Sequence, residues 1–299
     1  MKVVLKQDAE TSDDAVAPSK FPSCWSSASS MEDASACSWL RSDCRDLYLT
    51  QILPSSATRV GKRSRMIRFS INHAWSVKNR FPQAQFLEFG VHQAKDVCRV
   101  SHFVRLLERT SNNRKTRTAP APPTIIHGFD SFRGLPEDWD NGKRNENGTL
   151  LYRAGTFDLG GVVPNLNQVR EALKLPQFHR DQENVQLHPG WFHDTVPAFF
   201  DNHSSPIAFV HADADLYGST MTFLEEMCRR QLVVVGTVIS FDEFANFENW
   251  QHGEYMAWTE IVERYHLKFR YICYHAPTSE TLGHYGYQSV SVVVTDVPW

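Results

Sequence analysis

The sequence lacks the cysteine patterns that mark a zinc ribbon or a disulfide framework. Its 299 residues include six cysteines, and none of them forms a C-x-x-C pair. Scattered thiols of this kind are typical of a reducing compartment. The first residues contain no apolar signal core, and no apolar run approaches the roughly 18 residues needed to cross a membrane. We therefore expect a soluble, cytoplasmic protein without a membrane partner.

A large excess of charge of either sign is also absent. Lys and Arg number 31 and Asp and Glu number 34, which gives a formal net charge of −3. Because binding to nucleic acid generally requires a basic surface, we expect no nucleic-acid partner. Hydrophobic residues make up 41% of the chain, close to the average of globular proteins, so the chain can bury a core.

Composition divides the chain into three parts. Residues 1–45 are rich in Ser, Asp and Ala without apolar periodicity, which predicts a disordered arm. An organelle-targeting peptide is the alternative for this arm, although its acidic residues depart from the usual pattern. Residues 46–79 contain apolar residues at helical spacing and predict a helical preface. Residues 80–299 form the main domain.

The main domain alternates strand-length apolar runs with helix-length amphipathic segments. The strands are predicted at 85–89, 124–129, 184–187, 207–211, 236–241, 269–274 and 289–295, and the helices at 96–107, 167–173, 219–229 and 254–265. This alternation predicts an α/β fold with a mainly parallel sheet and helices on both faces. The Gly- and Asn-rich excursion at 134–161 is interpreted as either a lid over a site or a surface loop.

Several predicted strands carry a polar residue or a glycine at their carboxyl end or just after it. These residues are Glu88, Gly90, Asp130, His211, Asp213, Asp242 and Glu243. Ligands of open parallel sheets bind at this edge, so we expect these residues to surround one site. An acid at the tip of the second strand can accept hydrogen bonds from both ribose hydroxyls. However, the segment that ends the first strand contains only one glycine, Gly90, and position 94 is Ala94, so the G-x-G-x-x-G fingerprint is absent, which disfavours NAD or ATP.

Carboxylates that converge from adjacent strands repel one another unless a cation compensates them, and oxygen ligands suit Mg²⁺. Plainer explanations remain open at each position. Glu88 and Gly90 could belong to an ordinary turn, Asp130 could cap a turn, and Asp242 could make a local hydrogen bond. Asp215 or Ser219 is predicted to be the N-cap of the helix that follows.

Five motifs occur in order along the main domain: FLEFGV, IHGFDSFRGLPEDW, GWFHDTVP, HADADLYGST and GTVISFDEF. Together they resemble the macrocin O-methyltransferase family of class I S-adenosylmethionine-dependent methyltransferases, over roughly residues 80–295. The resemblance implies a Rossmann-like domain with a seven-stranded sheet and methyl transfer from S-adenosylmethionine to a hydroxyl group. It also implies a divalent cation, Mg²⁺, that orients a small-molecule acceptor.

The resemblance also implies roles for individual residues. The cofactor's methionine part would lie beside Glu88 and Gly90, its ribose beside Asp130 and Ser131, and its adenine beside Gly190, Trp191 and Phe192. The metal carboxylates would be Asp213, Asp242 and Glu243. Two positions depart from the family, which often has glycine in place of Ala94 and aspartate in place of Glu243.

We therefore predict metal-assisted O-methylation of a small hydroxylated metabolite, for which a sugar is one candidate. Asp213 is the preferred base for the acceptor proton, and His211 is the second candidate. The alternatives are N- or metal-independent methylation, and an inactive methyltransferase-like binding module. A dinucleotide or nucleotide-sugar enzyme is disfavoured by the missing glycines. The sequence leaves the oligomeric state open, and a homo-oligomer is compatible with it.

Overall fold

The computed structural model of the chain describes residues 57–60, 62–112, 123–176, 183–245, 247–275 and 289–299. The predicted arm at 1–45 and the first part of the predicted helical preface lie outside these ranges. Within the described ranges, no helix combines the length and the apolar character that crossing a bilayer requires.

Strands and helices alternate along the chain. The strands are β1 (Thr58–Val60), β2 (Gln85–Phe89), β3 (Ile126–Asp130), β4 (Trp139–Arg144), β5 (Leu150–Tyr152), β6 (Val185–Pro189), β7 (Ile207–Ala212), β8 (Val233–Phe241), β9 (Lys268–His275) and β10 (Val290–Asp296). The helices are α1 (Arg63–Arg80), α2 (Lys95–Asn112), α3 (Leu166–Ala172), α4 (Phe192–Phe200), α5 (Tyr217–Arg229) and α6 (Glu254–Arg264).

The main sheet has the strand order β1-β9-β10-β8-β7-β2-β3-β6. All neighbouring strands are parallel except β10, which runs antiparallel to both β8 and β9. Without its short edge strand β1, this is a seven-stranded, mainly parallel, Rossmann-like sheet, so the predicted fold class is confirmed. The three-residue strand β1 extends the sheet beside β9 and was not predicted.

Helices cover both faces of the sheet, as expected for parallel strands buried on both sides. Helices α4, α5 and α6 pack on one face, where Leu87 and Phe89 of β2 contribute to the core. Helices α1 and α2 pack on the other face, with Phe86 of β2 pointing towards them. This alternation along β2 holds its carboxyl end rigidly between two cores.

Helix α1 covers the second half of the predicted preface. Its buried residues include Met66, Ile71 and Ala74, and they belong to the same core as Phe86 of the sheet. The first residue of the helix, Arg63, thereby comes to lie near the ends of the central strands. The wider division of the chain into arm, preface and main domain stays a prediction.

Helix α4 and the antiparallel pair β4–β5 were not predicted. Helix α4 is only nine residues long and contains Pro197, which normally argues against a helix interior because it cannot donate a backbone hydrogen bond. Strand β4 has the sequence WDNGKR, whose Asp, Asn and Gly residues disfavour a strand. Residues of α4 and of the β4–β5 pair line the cavity that is described below.

Gly90 occupies a turn where the loops after β2 and β7 cross. Its φ is +88°, and a Cβ atom there would lie 1.7 Å from the carbonyl oxygen of Asp213. The Gly90 amide donates to the carbonyl of Phe129, and the Asp213 amide donates to that of Phe89. A side chain at position 90 would therefore separate strand ends that carry the candidate site.

Replacing Gly90 with alanine should lower the free energy of unfolding by more than about 4 kcal/mol, because backbone atoms of Asp213 would have to move. Gly148 is the matched control, since its φ is +76° and an added Cβ would meet nothing within 4 Å. Gly148→Ala should cost about 1–2 kcal/mol, the cost of the left-handed conformation alone. Urea unfolding of both variants measures the difference, and equal losses would contradict this explanation of Gly90.

Candidate active site

A cavity of about 880 Å³ opens at the carboxyl edge of the parallel strands. The predicted site residues that line it are Gly90, Asp130, Ser131, Trp191, Phe192, Asp213, Asp242 and Glu243. Glu88, Gly190 and His211 are not among its lining residues. The excursion at 134–161 contributes to the opposite wall through Leu135, Trp139, Lys143, Tyr152 and Phe157.

Asp130, at the tip of β3, is fixed by two backbone amides. Its Oδ2 accepts a hydrogen bond from the amide of His92 at 2.6 Å, and its Oδ1 accepts one from the amide of Phe132 at 2.6 Å. The first bond ties the loop after β2 to the end of β3. The second is a turn cap, which was the alternative to a ligand-binding role for Asp130. Each oxygen keeps a further lone pair, so the fixed carboxylate can still accept bonds from a ligand.

Ala94 closes the loop after β2. Its φ is +60°, a left-handed conformation that glycine adopts without steric cost. Alanine can be accommodated here because its methyl group is fully buried in the core with α2. The loop therefore adopts this backbone shape without the glycine that the family resemblance led us to expect at this position.

The segment after β6 forms a second wall of the cavity. The Gly190 amide donates to the carbonyl of Asp130 at 2.9 Å, which ties this segment to the tip of β3. Phe192, the first residue of α4, packs edge-on against Phe89 with ring centroids 5.6 Å apart. Trp191 lies just before the helix and lines the cavity with Phe192. An apolar aromatic wall thus stands beside the Asp130 carboxylate.

Asp213, Asp242 and Glu243, here called the carboxylate trio, lie after β7 and at the end of β8. Each offers a carboxylate oxygen, and the three oxygens lie within 4.8 Å of one another. Oδ1 of Asp242 accepts a hydrogen bond from the Ser289 hydroxyl at 3.0 Å. Oε2 of Glu243 is buried and has no hydrogen-bond partner among the described residues. A hard cation fits this set of oxygen donors, because it would give the unpartnered oxygen a ligand role.

Glu254, the first residue of α6, was not predicted as a site residue, although it holds the loops of the trio together. Its side chain is fully buried. Oε1 accepts a hydrogen bond from the amide of Ala214 and Oε2 accepts one from the amide of Glu243, both at 3.1 Å. Burial raises the pKa of Glu254 well above its usual value, and the neighbouring carboxylates raise it further. The only sequence signal for this role is an acid placed at the start of an apolar helix.

Arg63, the first residue of α1, was not predicted as a site residue either. Its guanidinium contacts Oδ2 of Asp213 at 2.5 Å and Oδ2 of Asp242 at 2.7 Å. It also lies 3.1 Å from Oδ2 of Asp96, in the first turn of α2. Burial alone would lower the pKa of Arg63, but the three carboxylates raise it. No motif surrounds Arg63, and 150 positions separate it from Asp213, so the sequence carries no local signal of this contact.

Glu88 and His211 form a buried pair beneath the cavity. Nδ1 of His211 lies 3.3 Å from Oε2 of Glu88, and both side chains are almost completely buried. Burial raises the pKa of Glu88 to about 7. Burial disfavours a charged His211, but the close contact with Glu88 and its negative charge outweigh this effect and raise the pKa of His211 to about 9. The pair therefore retains a proton near neutral pH without contact with the cavity.

The prediction that Asp215 or Ser219 caps the following helix is wrong. Helix α5 begins at Tyr217, and Leu216 holds the N-cap position without a side-chain cap bond. The cause is the left-handed conformation of Asp215, whose φ of +59° turns the chain before the helix starts. Asp215 and Ser219 instead line the cavity beside the carboxylate trio.

Comparison with known proteins agrees with the resemblance seen in the motifs. Residues 117–261, just under half of the chain, match the family described as Macrocin-O-methyltransferase (TylF). The matched region contains Asp130 and the whole carboxylate trio, whereas Arg63 and Glu88 precede it. The similarity of this chain to the macrocin O-methyltransferase family of class I methyltransferases is therefore confirmed.

One curated relative is the demethyldecarbamoylnovobiocin O-methyltransferase of Streptomyces niveus, which is 28% identical over 118 residues. The match covers 38% of this chain, and the chain spans only 40% of that relative. Among solved structures, the calicheamicin methyltransferase CalS11 has a TM-score of 0.47 and 21% identity, with 95% of this chain and 98% of that chain covered. The O-methyltransferase TomG from Streptomyces achromogenes has a TM-score of 0.41 and 13% identity, with 89% and 96% covered.

Replacing His211 with leucine should lower the free energy of unfolding by about 3 kcal/mol, because Glu88 would be left buried without its partner. His193→Leu is the control, since the His193 side chain is 71% exposed, and it should change stability by less than about 0.5 kcal/mol. Adding Glu88→Leu to His211→Leu should recover part of the loss, because no buried charge then remains. Denaturant unfolding at neutral pH measures all three, and a neutral His211→Leu variant would refute the buried pair.

Proposed function

We propose that the protein is an S-adenosylmethionine-dependent O-methyltransferase in which a divalent cation assists methyl transfer to a small hydroxylated metabolite. The observation that carries this proposal is the meeting of two acidic groups in one cavity of about 880 Å³. One is the fixed carboxylate of Asp130, and the other is the carboxylate trio. The family match over residues 117–261 includes both groups and supports the same reaction.

The cofactor half of the cavity is formed by the ends of β2, β3 and β6. We assign the ribose hydroxyls to Asp130 and Ser131, the adenine to the wall of Trp191 and Phe192, and the methionine part to the backbone at Gly90. Glu88 lies beneath this backbone and would support it through His211 rather than contact the cofactor. A bound S-adenosylmethionine supplies an electrophilic methyl group, so the protein mainly has to align an acceptor oxygen with it.

The carboxylate trio would hold the cation, for which Mg²⁺ is the proposed ion. A cation bound there would supply Lewis acidity that eases loss of the acceptor's hydroxyl proton. In the metal-free protein, burial and the negative charge of Asp242 raise the pKa of Asp213 to about 6. Asp213 is our choice of base because it lines the cavity, whereas His211 does not.

The acceptor half of the cavity is walled by the excursion at 134–161, which supports its interpretation as a lid. The rings of Trp139 and Tyr152 have centroids 5.1 Å apart, and Phe157 lies 5.6 Å from Tyr152. Such rings pack well against the apolar faces of a ring-shaped metabolite, including a sugar. The name of the Streptomyces niveus relative, an O-methyltransferase of demethyldecarbamoylnovobiocin, also supports a small hydroxylated acceptor.

Isothermal titration with S-adenosylhomocysteine tests the cofactor assignment. The wild-type protein should bind it saturably, and Asp130→Ala should weaken binding at least about tenfold, because a charged acceptor of the ribose hydroxyls is lost. Asp213→Ala should stay within about threefold of wild type, because the trio is assigned to the acceptor and the cation rather than to the cofactor.

Asp140→Ala is the matched control for loss of a carboxylate. Asp140 is 44% exposed, and within the described residues its ion pair is with Arg144. Thermal unfolding of each variant separates lost binding from lost structure, because Asp130 also holds two backbone amides. A folded wild-type protein that does not bind S-adenosylhomocysteine would refute the methyltransferase proposal.

A further inference from the structure

The guanidinium of Arg63 contacts two of the three carboxylates of the candidate metal cluster. It bridges carboxylates from three elements, namely Asp96 on α2, Asp213 after β7 and Asp242 after β8. Two of these three carboxylates belong to the trio that would hold a divalent cation. Arg63 therefore supplies the positive charge that the same oxygens would otherwise take from a metal ion.

The location of Arg63 is not explained by the stability of its own helix. Arg63 is the first residue of α1, and the first turn of that helix contains no acidic residue. A positive charge at a helix amino terminus is unfavourable, because the macrodipole is positive there. Its side chain is instead held by the carboxylates of the site, and it remains one-third exposed, at 33%. Although Nε of the guanidinium is buried, part of the side chain is therefore accessible to solvent.

A guanidinium and a divalent cation compete for these oxygens. Mg²⁺ binds oxygen ligands at about 2.1 Å and Mn²⁺ prefers the same oxygen donors. Guanidinium nitrogens already lie 2.5 Å from Oδ2 of Asp213 and 2.7 Å from Oδ2 of Asp242. A cation on the same oxygens would meet these nitrogens, and the two positive charges would repel each other in a half-buried site.

We propose that Arg63 is an internal competitor of the divalent cation, so that guanidinium and metal ion occupy the carboxylate trio in turn. The proposal rests on the metal site of the proposed function. Asp96 gives the displaced side chain a second partner, because it contacts Arg63 and does not belong to the trio. When a cation enters, Arg63 withdraws towards Asp96 and solvent.

Titration of the protein with Mn²⁺ alone, in the absence of cofactor and acceptor, measures this competition. Arg63→Gln should bind Mn²⁺ at least about tenfold more tightly than the wild-type protein, because the competing charge is removed. Arg63→Lys retains the charge and should bind less tightly than Arg63→Gln. Arg65→Gln is the matched control, since Arg65 is exposed on the same helix, and it should stay within about twofold of wild type.

Unchanged or weaker Mn²⁺ binding by Arg63→Gln would overturn the proposal, because Arg63 would then merely position the trio. If neither protein binds Mn²⁺ while both still bind S-adenosylhomocysteine, the competition and the metal site both fail and the methyltransferase proposal survives. Thermal unfolding checks that Arg63→Gln is folded, and Arg63→Met, which keeps the apolar stem, replaces it if it is not.

Discussion

The repulsion between carboxylates gathered at one edge of the sheet is the constraint on which the rest of the structure depends. Parallel strands end at this edge, and they bring Asp213, Asp242 and Glu243 within 4.8 Å of one another. Burial and the neighbouring charges raise the pKa of Glu243 well above its usual value. The fold compensates this negative charge with the guanidinium of Arg63, which contacts Asp213 and Asp242. Glu254 adds a further carboxylate nearby, and it ties the two loops together by accepting the amides of Ala214 and Glu243.

The same edge requires unusually close contact between loops. Gly90 packs directly against the carbonyl of Asp213, where a side chain would not fit. Asp130 accepts a hydrogen bond from the amide of His92, which lies in the loop after β2. These two contacts connect the cofactor half of the cavity to the half that holds the trio. Alignment of a methyl donor with an acceptor depends on such fixed distances, so the packing of the loops is itself part of the proposed catalysis.

Most of the sheet could be predicted because each central strand is an apolar run with an acid or a glycine near its carboxyl end, as at Glu88 and Asp130. The trio could be predicted for the same reason. Helix α4 was missed because Pro197 argues locally against a helix that packing nevertheless stabilises. Arg63 was missed because its partners lie far along the chain. A local sequence pattern predicts the secondary structure of a segment, but it does not predict which distant charged residue the segment contacts.

Diffraction from crystals grown with S-adenosylhomocysteine and Mn²⁺ tests most directly the claim that one cavity holds both cofactor and cation. We expect the ribose of the ligand at Asp130 and an anomalous manganese peak at Asp213, Asp242 and Glu243. Arg63 should then be withdrawn from the trio. A ligand bound outside this cavity, or a manganese peak away from the trio, would contradict this claim.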